Sequence, residues 1–319
     1  MKHITMIIND KSSKYNFKIM EKCKNLILEN NMKVKTLHTS KNKNIFIEDF
    51  ENKLIQSSKH SDAVICYGGD GIYGLICNTL NKNEQTAPIG FVSIGTANDM
   101  ATNLGLEKDP IECTNQILNG IIKKQDIITV NNEGFGYVSA FGPITNTTYN
   151  TNPQMKKKLG KLSYILNAKN EIIKVIKKKY EPYKITYLAN NKLKNTECLI
   201  GLITNAKKFS GIKLYDNIKL NDGKFEMLLI KPNIIDIAPK VIKDFLKSYY
   251  KEANINIIQK YPDIFESIST NDLKIAFENP PKAPLNNDGD AGITLSSKNN
   301  ILHYQTKKKI KLLLPKNNG

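Results

Sequence analysis

The sequence predicts an α/β protein of two domains, a parallel-sheet domain followed by a β-rich one. Three observations carry this. Over the first ~125 residues, apolar runs of strand length alternate with amphipathic stretches, the pattern of strands joined by crossover helices. After about residue 126 the texture changes to short strands separated by Asn, Asp, Gly and Lys turns. The 319 residues suit two domains, at roughly 100–200 residues each.

The elements read off in order. Residues 4–8, ITMII, form a buried strand, and the polar run 9–14 is a loop. Phe17, Met20, Leu26 and Ile27 put an apolar stripe on a helix over about 15–30. Residues 32–38, MKVKTLH, alternate with period two, as a half-buried strand does. A second helix covers about 46–58. DAVICYGG is a strand running into glycine, IYGLICNTL is helical, and PIGFVSIG is a second strand into glycine. NDMATNLGL is a short helix with Asn98 or Asp99 as its N-cap. DPIECTNQILNGII is a helix with Pro110 in its first turn. Beyond it, strands are expected at 126–131, 135–141, 184–189, 198–204, 225–231, 254–259 and 273–278, with helices near 160–179 and 234–249. The tail 307–315 is another strand. The domains are placed at 1–128 and 129–304, with 305–319 free to return to the first.

Composition narrows the classes. The chain is 40% hydrophobic and 24% charged, with a formal net charge of +17, which excludes disordered, collagen-like and disulfide-scaffold proteins. All 47 basic residues are Lys. Without Arg there is no bidentate guanidinium fork, so phosphates must be held by ammonium groups, backbone N–H groups and metal. The abundance of Lys, Asn and Ile also fits an A/T-rich coding bias. Five scattered Cys with no CxxC argue against zinc and suit a reducing cytosol. The short apolar run in MKHITMIIND is not a signal peptide, and no stretch reaches the ~18 apolar residues of a membrane span. The expected location is cytoplasmic, with peripheral contact to an anionic membrane surface. The run Lys156-Lys157-Lys158 reads as a solvated face. His38, at a strand end beside Thr39, reads as exposed or locally hydrogen-bonded. His3, His60 and His303 are isolated.

Two loops carry the chemistry. In Val64-Ile65-Cys66-Tyr67-Gly68-Gly69-Asp70-Gly71-Ile72, a buried strand delivers glycines onto a helix N-terminus. Glycines let backbone N–H groups approach an anion, and a helix start adds unpaired N–H groups and partial positive charge. Asp70 cannot bind phosphate itself. It needs a cation, a nucleotide hydroxyl or backbone donors. Pro88 to Ala101, PIGFVSIGTANDMA, repeats the strand–glycine–polar–helix order. Both loops then fall at the carboxyl edge of the sheet, where open α/β sheets bind ligands.

These motifs resemble the diacylglycerol kinase-type lipid kinases, in particular soluble bacterial members. GGDG is followed by P-x-G-x-x-x-x-G-T-x-N-D-x-A. Asn9 to Ser13 falls where that family has its first nucleotide loop. Asn152 to Tyr164 resembles its segment leading to G-x-x-x-Y, residues 214–231 its P-x-A-x-L-x-D-G-x-F-x-L stretch, and Asn287-Asp288-Gly289-Asp290 its D-G-E signature. The resemblance implies an N-terminal domain like those of NAD kinase and phosphofructokinase, and a second β-sandwich domain. It implies that ATP contacts Asn9, Asp10, Lys11, Ser12, Ser13, Thr39, Gly68, Gly69, Asp70, Gly71, Ile72, Gly74, Gly95, Thr96, Asn98 and Asp99. It implies a structural Mg²⁺ held by Asp222 and by backbone oxygens of Lys219 and Lys224. Asp290 stands where the family has its Glu general base, and Asp70 is expected to ligate the Mg²⁺ of ATP, directly or through water. The chain departs from the family at Ile72 (usually Thr), Gly74 (commonly Asn), a first loop lacking Pro and Gly, and Asp290.

The implied reaction moves the ATP γ-phosphate to a lipid hydroxyl, diacylglycerol giving phosphatidic acid. It needs positioning, charge neutralisation and a carboxylate to take the hydroxyl proton. Other acceptors (a sphingoid lipid, or a soluble one as in NAD kinase) and a nucleotide- or lipid-binding pseudokinase are the alternatives. Nucleic-acid binding rests on charge alone, without a recognised motif, so no specific nucleic-acid partner is expected. A homodimer through the second domain stays open.

Overall fold

A computed structural model describes residues 1–96, 98–143, 181–209, 212–249 and 256–316. Contacts divide the chain into two units, Met1–Ile127 with Lys308–Gly319, and Ile128–Lys307.

The first unit opens with β1 (His3–Ile8), α1 (Phe17–Glu29), β2 (Lys33–His38), α2 (Phe46–His60), β3 (Ala63–Gly68), α3 (Asp70–Lys82), β4 (Ile89–Ser93), α4 (Asp99–Asn103) and α5 (Pro110–Leu118). The strands are parallel in the order β2-β1-β3-β4. Every residue of β3 and β4 is buried, as expected of strands covered on both faces. The crossover through α1 runs outward to β2, while those through α2 and α3 run the other way. Helices α1 and α5 therefore pack together on one face, and α2 packs with α3 on the other. Gly90 is required by this packing, because a Cβ there would lie 2.7 Å from Ile117 Cγ2 of α5. Asn16 and Asp109 cap α1 and α5 through their side chains. None of the five cysteines forms a disulfide, and all are buried.

The second unit contains most of the remaining strands: β5 (Ile121–Val130), β6 (Glu133–Phe135), β7 (Val138–Phe141), β8 (Tyr183–Ala189), β9 (Lys192–Cys198), β10 (Ile200–Thr204), β11 (Lys208–Phe209), β12 (Ile212–Lys213) and β13 (Phe225–Ile230). Then come α6 (Ile234–Tyr249), α7 (Ile257–Lys260), β14 (Phe265–Thr270), β15 (Asp272–Phe277), β16 (Asn286–Asn287), β17 (Asp290–Ala291) and β18 (Ile301–Leu314). One antiparallel sheet runs β14-β13-β10-β7-β16-β17. In the other, β18 pairs β15, β15 pairs β8, and β8 pairs β9. Side chains from both sheets fill one core, so this unit is a sandwich. At its centre Phe141 and Phe277 meet edge-on, with ring centroids 5.0 Å apart. The last residues of β18 belong to the first unit, where Leu312 pairs in parallel with Ile89 of β4.

Several elements differ from the sequence reading. The helix expected to run through Ile122 stops at Leu118, and the chain turns into β5 at Ile121. A Cβ at Gly120 would lie 2.6 Å from the Leu314 carbonyl oxygen, so the chain passes too close for a side chain. The single strand expected at 135–141 is two, because the N–H groups of Gly136 and Tyr137 bond to a carboxylate instead of a neighbouring strand. In the strand expected at 254–259, residues 257–259 are helical, since the Asn256 side chain accepts from Gln259 N–H and starts a turn there. Strands β9 and β14 escaped the reading. In β9, KLKNTEC, only Cys198 is buried, so no alternation marks it. The helix expected at 160–179 and the segment Asn152 to Tyr164 lie outside the described residues.

Candidate functional site

Strands β1 and β3 are neighbours whose outgoing helices, α1 and α3, lie on opposite faces. Their carboxyl ends therefore open a crevice, the usual ligand position in such sheets. The glycine turn leaves β3 at this point. Gly69 is the N-cap of α3, in extended backbone and with no side-chain cap. Asp70 and Gly71 form the first turn, whose N–H groups have no partner within a helix. Gly69 and Gly95 lie backbone against backbone: a Cβ on Gly95 would sit 2.6 Å from Gly69 Cα and 2.8 Å from Asn98 Oδ1. Ile94 N–H donates to Gly68 O at 2.8 Å, which ties the second loop to the first.

The loop after β1 joins them. Asn9 N–H donates to Tyr67 O at 3.0 Å and Lys14 N–H to Ile94 O at 3.0 Å. Thr96 Oγ1 donates to Ser13 Oγ at 2.8 Å, and Lys11 N–H donates to Asn9 Oδ1 at 3.1 Å. Thr39 is buried, with its N–H on Ile8 O. The structure thus brings Asn9 to Ser13, Thr39, Gly68 to Gly71, Gly95, Thr96, Asn98 and Asp99 to one edge of one sheet. Ser12 Oγ and Asn98 Oδ1 are buried there without a protein partner. Such atoms are normally satisfied, and a bound ligand would do so. Gly74 lies one turn into α3. Ile72 brings no ligand group, since its side chain is buried against Gly68 and its N–H goes to Gly69 O. His38 hydrogen-bonds locally, with Nδ1 2.7 Å from Asp10 Oδ1.

Asp70 is held by backbone donors. Its Oδ1 accepts from Met100 N–H at 3.1 Å and its Oδ2 from Asp99 N–H at 3.4 Å. It therefore caps α4 in place of Asn98, which occupies the N-cap position in left-handed backbone (φ 57°) and makes no cap bond. Burial pushes the Asp70 carboxyl above the usual carboxylate range, the Met100 N–H bond opposes this, and the nearby Asp99 carboxylate adds to it. Two neighbouring carboxylates, Asp99 buried and Asp70 partly so, are hard-oxygen donors of the kind a divalent cation takes.

In the second unit Asn287-Asp288-Gly289-Asp290 is a two-residue hairpin joining β16 to β17, with Asn287 paired to Asp290. Asp288 and Gly289 have φ of 54° and 98°, the left-handed pair that a type I′ turn requires. Asp288 is buried, and its carboxylate accepts three backbone bonds: Gly136 N–H at 2.8 Å, Tyr137 N–H at 2.9 Å and Val138 N–H at 2.8 Å. Its own N–H donates to Val138 O at 2.8 Å. Its lone pairs fasten the turn that sets the backbone of Asp290. Asn-Asp-Gly between two strands is a hairpin signal, but nothing local shows where the Asp288 side chain goes.

Lys219, Asp222 and Lys224 lie on an exposed turn before β13. Asp222 Oδ1 accepts from Lys224 N–H at 3.0 Å, and Gly223 takes φ 80°. One carboxylate with backbone carbonyls is a hard-oxygen donor set of the kind Mg²⁺ takes. Among the described residues no cluster of three or more His, Cys, Asp or Glu side chains could hold a metal.

The fold and this edge define a class: a parallel α/β unit with a glycine turn of the phosphate-holding type, followed by an antiparallel sandwich. Residues 3–130 match the family model of the diacylglycerol kinase catalytic domain. The chain is 28% identical over 172 residues to a diacylglycerol kinase of Bacillus subtilis, covering 53% of this chain and 55% of that one. It is 26% identical over 220 residues to a diacylglycerol kinase of Staphylococcus haemolyticus, covering 63% and 65%. These matches span between half and two thirds of the relatives' length. The fold is similar to a crystal structure of a diacylglycerol kinase from Bacillus anthracis, with a TM-score of 0.73 and 18% identity over 99% of this chain and 98% of that one. In sequence and in fold the chain is thus similar to diacylglycerol kinases, with the catalytic-domain model matched over less than half of its length.

Proposed function

We propose that the protein is a lipid kinase that transfers the γ-phosphate of ATP to the hydroxyl of diacylglycerol, giving phosphatidic acid. The observation that carries this is the convergence of three loops on α3. An uncapped helix start and a backbone-to-backbone glycine contact offer room for phosphate, and the partnerless Ser12 Oγ and Asn98 Oδ1 offer groups to a nucleotide. Asp70, raised by burial and beside Asp99, is suited to hold the Mg²⁺ that accompanies ATP. That metal, when bound, would neutralise charge developing on the transferred phosphoryl group. Asp290, on the turn fastened by Asp288, is assigned to accept the lipid hydroxyl proton. Asp222 and the carbonyls of Lys219 and Lys224 are assigned to a structural Mg²⁺.

The test is transfer of labelled γ-phosphate from ATP, with Mg²⁺, into mixed micelles carrying a panel of lipids. Label is expected in phosphatidic acid. Label in another lipid would rename the acceptor. No label in any lipid, with ATP bound, would overturn the reading in favour of a soluble acceptor or a pseudokinase.

A further inference from the structure

Two residues after Thr39, the first unit presents an unusual surface at the same sheet edge as the three loops. Strand β2 ends at His38, level with Ile8 of β1, and residues 39–45 lead from there to α2. Ile45 and Ile47 are 48% and 55% exposed. Exposed single isoleucines are ordinary, but these two bracket a helix start. Ile45 occupies the N-cap of α2 and makes no cap hydrogen bond, where Ser, Thr, Asp or Asn is strongly preferred. An apolar side chain half in water at that position leaves the helix uncapped and is only partly covered within the chain.

The backbone holding this pair is tied down. Ser40 N–H donates to Asp49 Oδ2 at 2.7 Å, Asn42 N–H to Ser40 Oγ at 3.1 Å, and Asn44 N–H to Asn42 Oδ1 at 3.0 Å. The Lys11 ammonium bonds to Lys41 O, linking this loop to the one after β1. The charge around it is basic. Lys41 and Lys43 are exposed. Of the nearby acids, Asp49 is paired with Lys53 and Asp10 with His38, leaving Glu48 exposed on the helix.

Apolar tips beside lysines suit one partner chemistry, the interface of an anionic bilayer. We infer that residues 41–47 are a membrane-docking element, with Ile45 and Ile47 entering among the lipids and Lys41 and Lys43 lying at anionic headgroups. The choice of partner rests on the lipid-kinase reading, since such an enzyme must bring its loop edge to a bilayer. Binding, however, is read without turnover.

The experiment is co-sedimentation of the full chain with phosphatidylcholine vesicles, with and without 30 mol% phosphatidylglycerol (a fraction of about a third, chosen to give a strong surface potential). Binding to the anionic vesicles is expected. The pair Lys41→Gln and Lys43→Gln should weaken it about 30-fold, at roughly one kcal/mol for each lysine near the surface. Ile45→Asn with Ile47→Asn should weaken it about 10-fold, through lost apolar burial. The control removes equal charge at the opposite sheet edge, Lys33→Gln with Lys59→Gln, and should change little. No binding by the unaltered chain would overturn the inference. So would equal losses in both lysine pairs, which would mean diffuse attraction to the whole +17 surface. A dimer seen by sedimentation velocity, lost in the isoleucine variant while vesicle binding persists, would assign the patch to a second copy instead. Vesicle binding at this patch without lipid phosphorylation would sink the kinase reading and leave the docking element standing.

Discussion

Asp288→Ala is the sharpest perturbation the structure offers. The change removes a buried carboxylate that accepts from Gly136, Tyr137 and Val138 N–H. A hydrogen bond to a charged group is worth about 1.5–3 kcal/mol, and an orphaned buried donor costs ~1–3 kcal/mol. The terms overlap, so they do not simply add. Alanine must also adopt the left-handed backbone of this position (φ 54°), at about 1 kcal/mol. A net loss of ~4 kcal/mol is expected, within the range for breaking a buried charged network. For a unit of this size that lowers the melting temperature by roughly 8–16 °C. Asp288→Asn should cost about half as much. Its carbonyl can still accept from Tyr137 and Val138, while its NH₂ faces the Gly136 donor. The chain has no Trp, so the assay is thermal and urea unfolding followed by circular dichroism and tyrosine fluorescence. Kinase turnover would be measured well below the melting point. Wild-type stability in Asp288→Ala would refute the fastening role. Wild-type stability with lost turnover would make Asp288 itself a reacting group.

Three further outcomes are expected. Asp70→Asn keeps an acceptor for Met100 N–H and removes a buried charge, so its melting temperature should match or exceed the wild type at pH 8, while label transfer falls at least ~100-fold; full activity would remove Asp70 from the site. Asp290→Glu lengthens the assigned base by one methylene, and a raised rate of label transfer would show that the shorter side chain limits turnover, whereas a fall would show the site is built for Asp. Burial pushes the Glu266 carboxyl up, but hydrogen bonds from Lys194, Tyr187 and Lys231 outweigh it and hold it below the usual range. Its stabilisation is therefore present above the unfolded carboxylate range and lost as pH falls through the lower folded value. Glu266→Gln should accordingly flatten the acid limb of the melting temperature between about pH 5 and 3, and an unchanged limb would refute the assignment.

Much of the first unit was legible because β1, β3 and β4 are buried on both faces. AVICYG and IGFVS read as largely apolar runs, the first ending in Gly68 and the second followed two residues later by Gly95, so strand, turn and helix start were all visible locally. The loops after β1, β3 and β4 could be nominated for the same reason. Parallel strands leave a sheet at one edge, and the order of elements alone places those loops together. The second unit was harder. β9 carries almost no buried residue, and β14 alternates weakly, because their partners rather than their own composition hold them in place. The hairpin at Asn287 to Asp290 could be read as a turn and as a D-G-E-like signature, but not as a fastened one.

The sequence by itself determined the class of fold, the position of the glycine turns and the residue types available for phosphate chemistry, since these depend on patterns within a few residues of one another. Only the tertiary structure decided what each carboxylate does. Asp70 caps α4, which starts 29 residues away, and Asp288 fastens a strand break about 150 residues earlier in the chain. Ile72 turns inward onto Gly68, so its side chain is not presented at the mouth of the turn. A carboxylate's role is set by the donors that surround it and by how much water they exclude. Those donors come from segments whose separation along the chain has no signature in either segment.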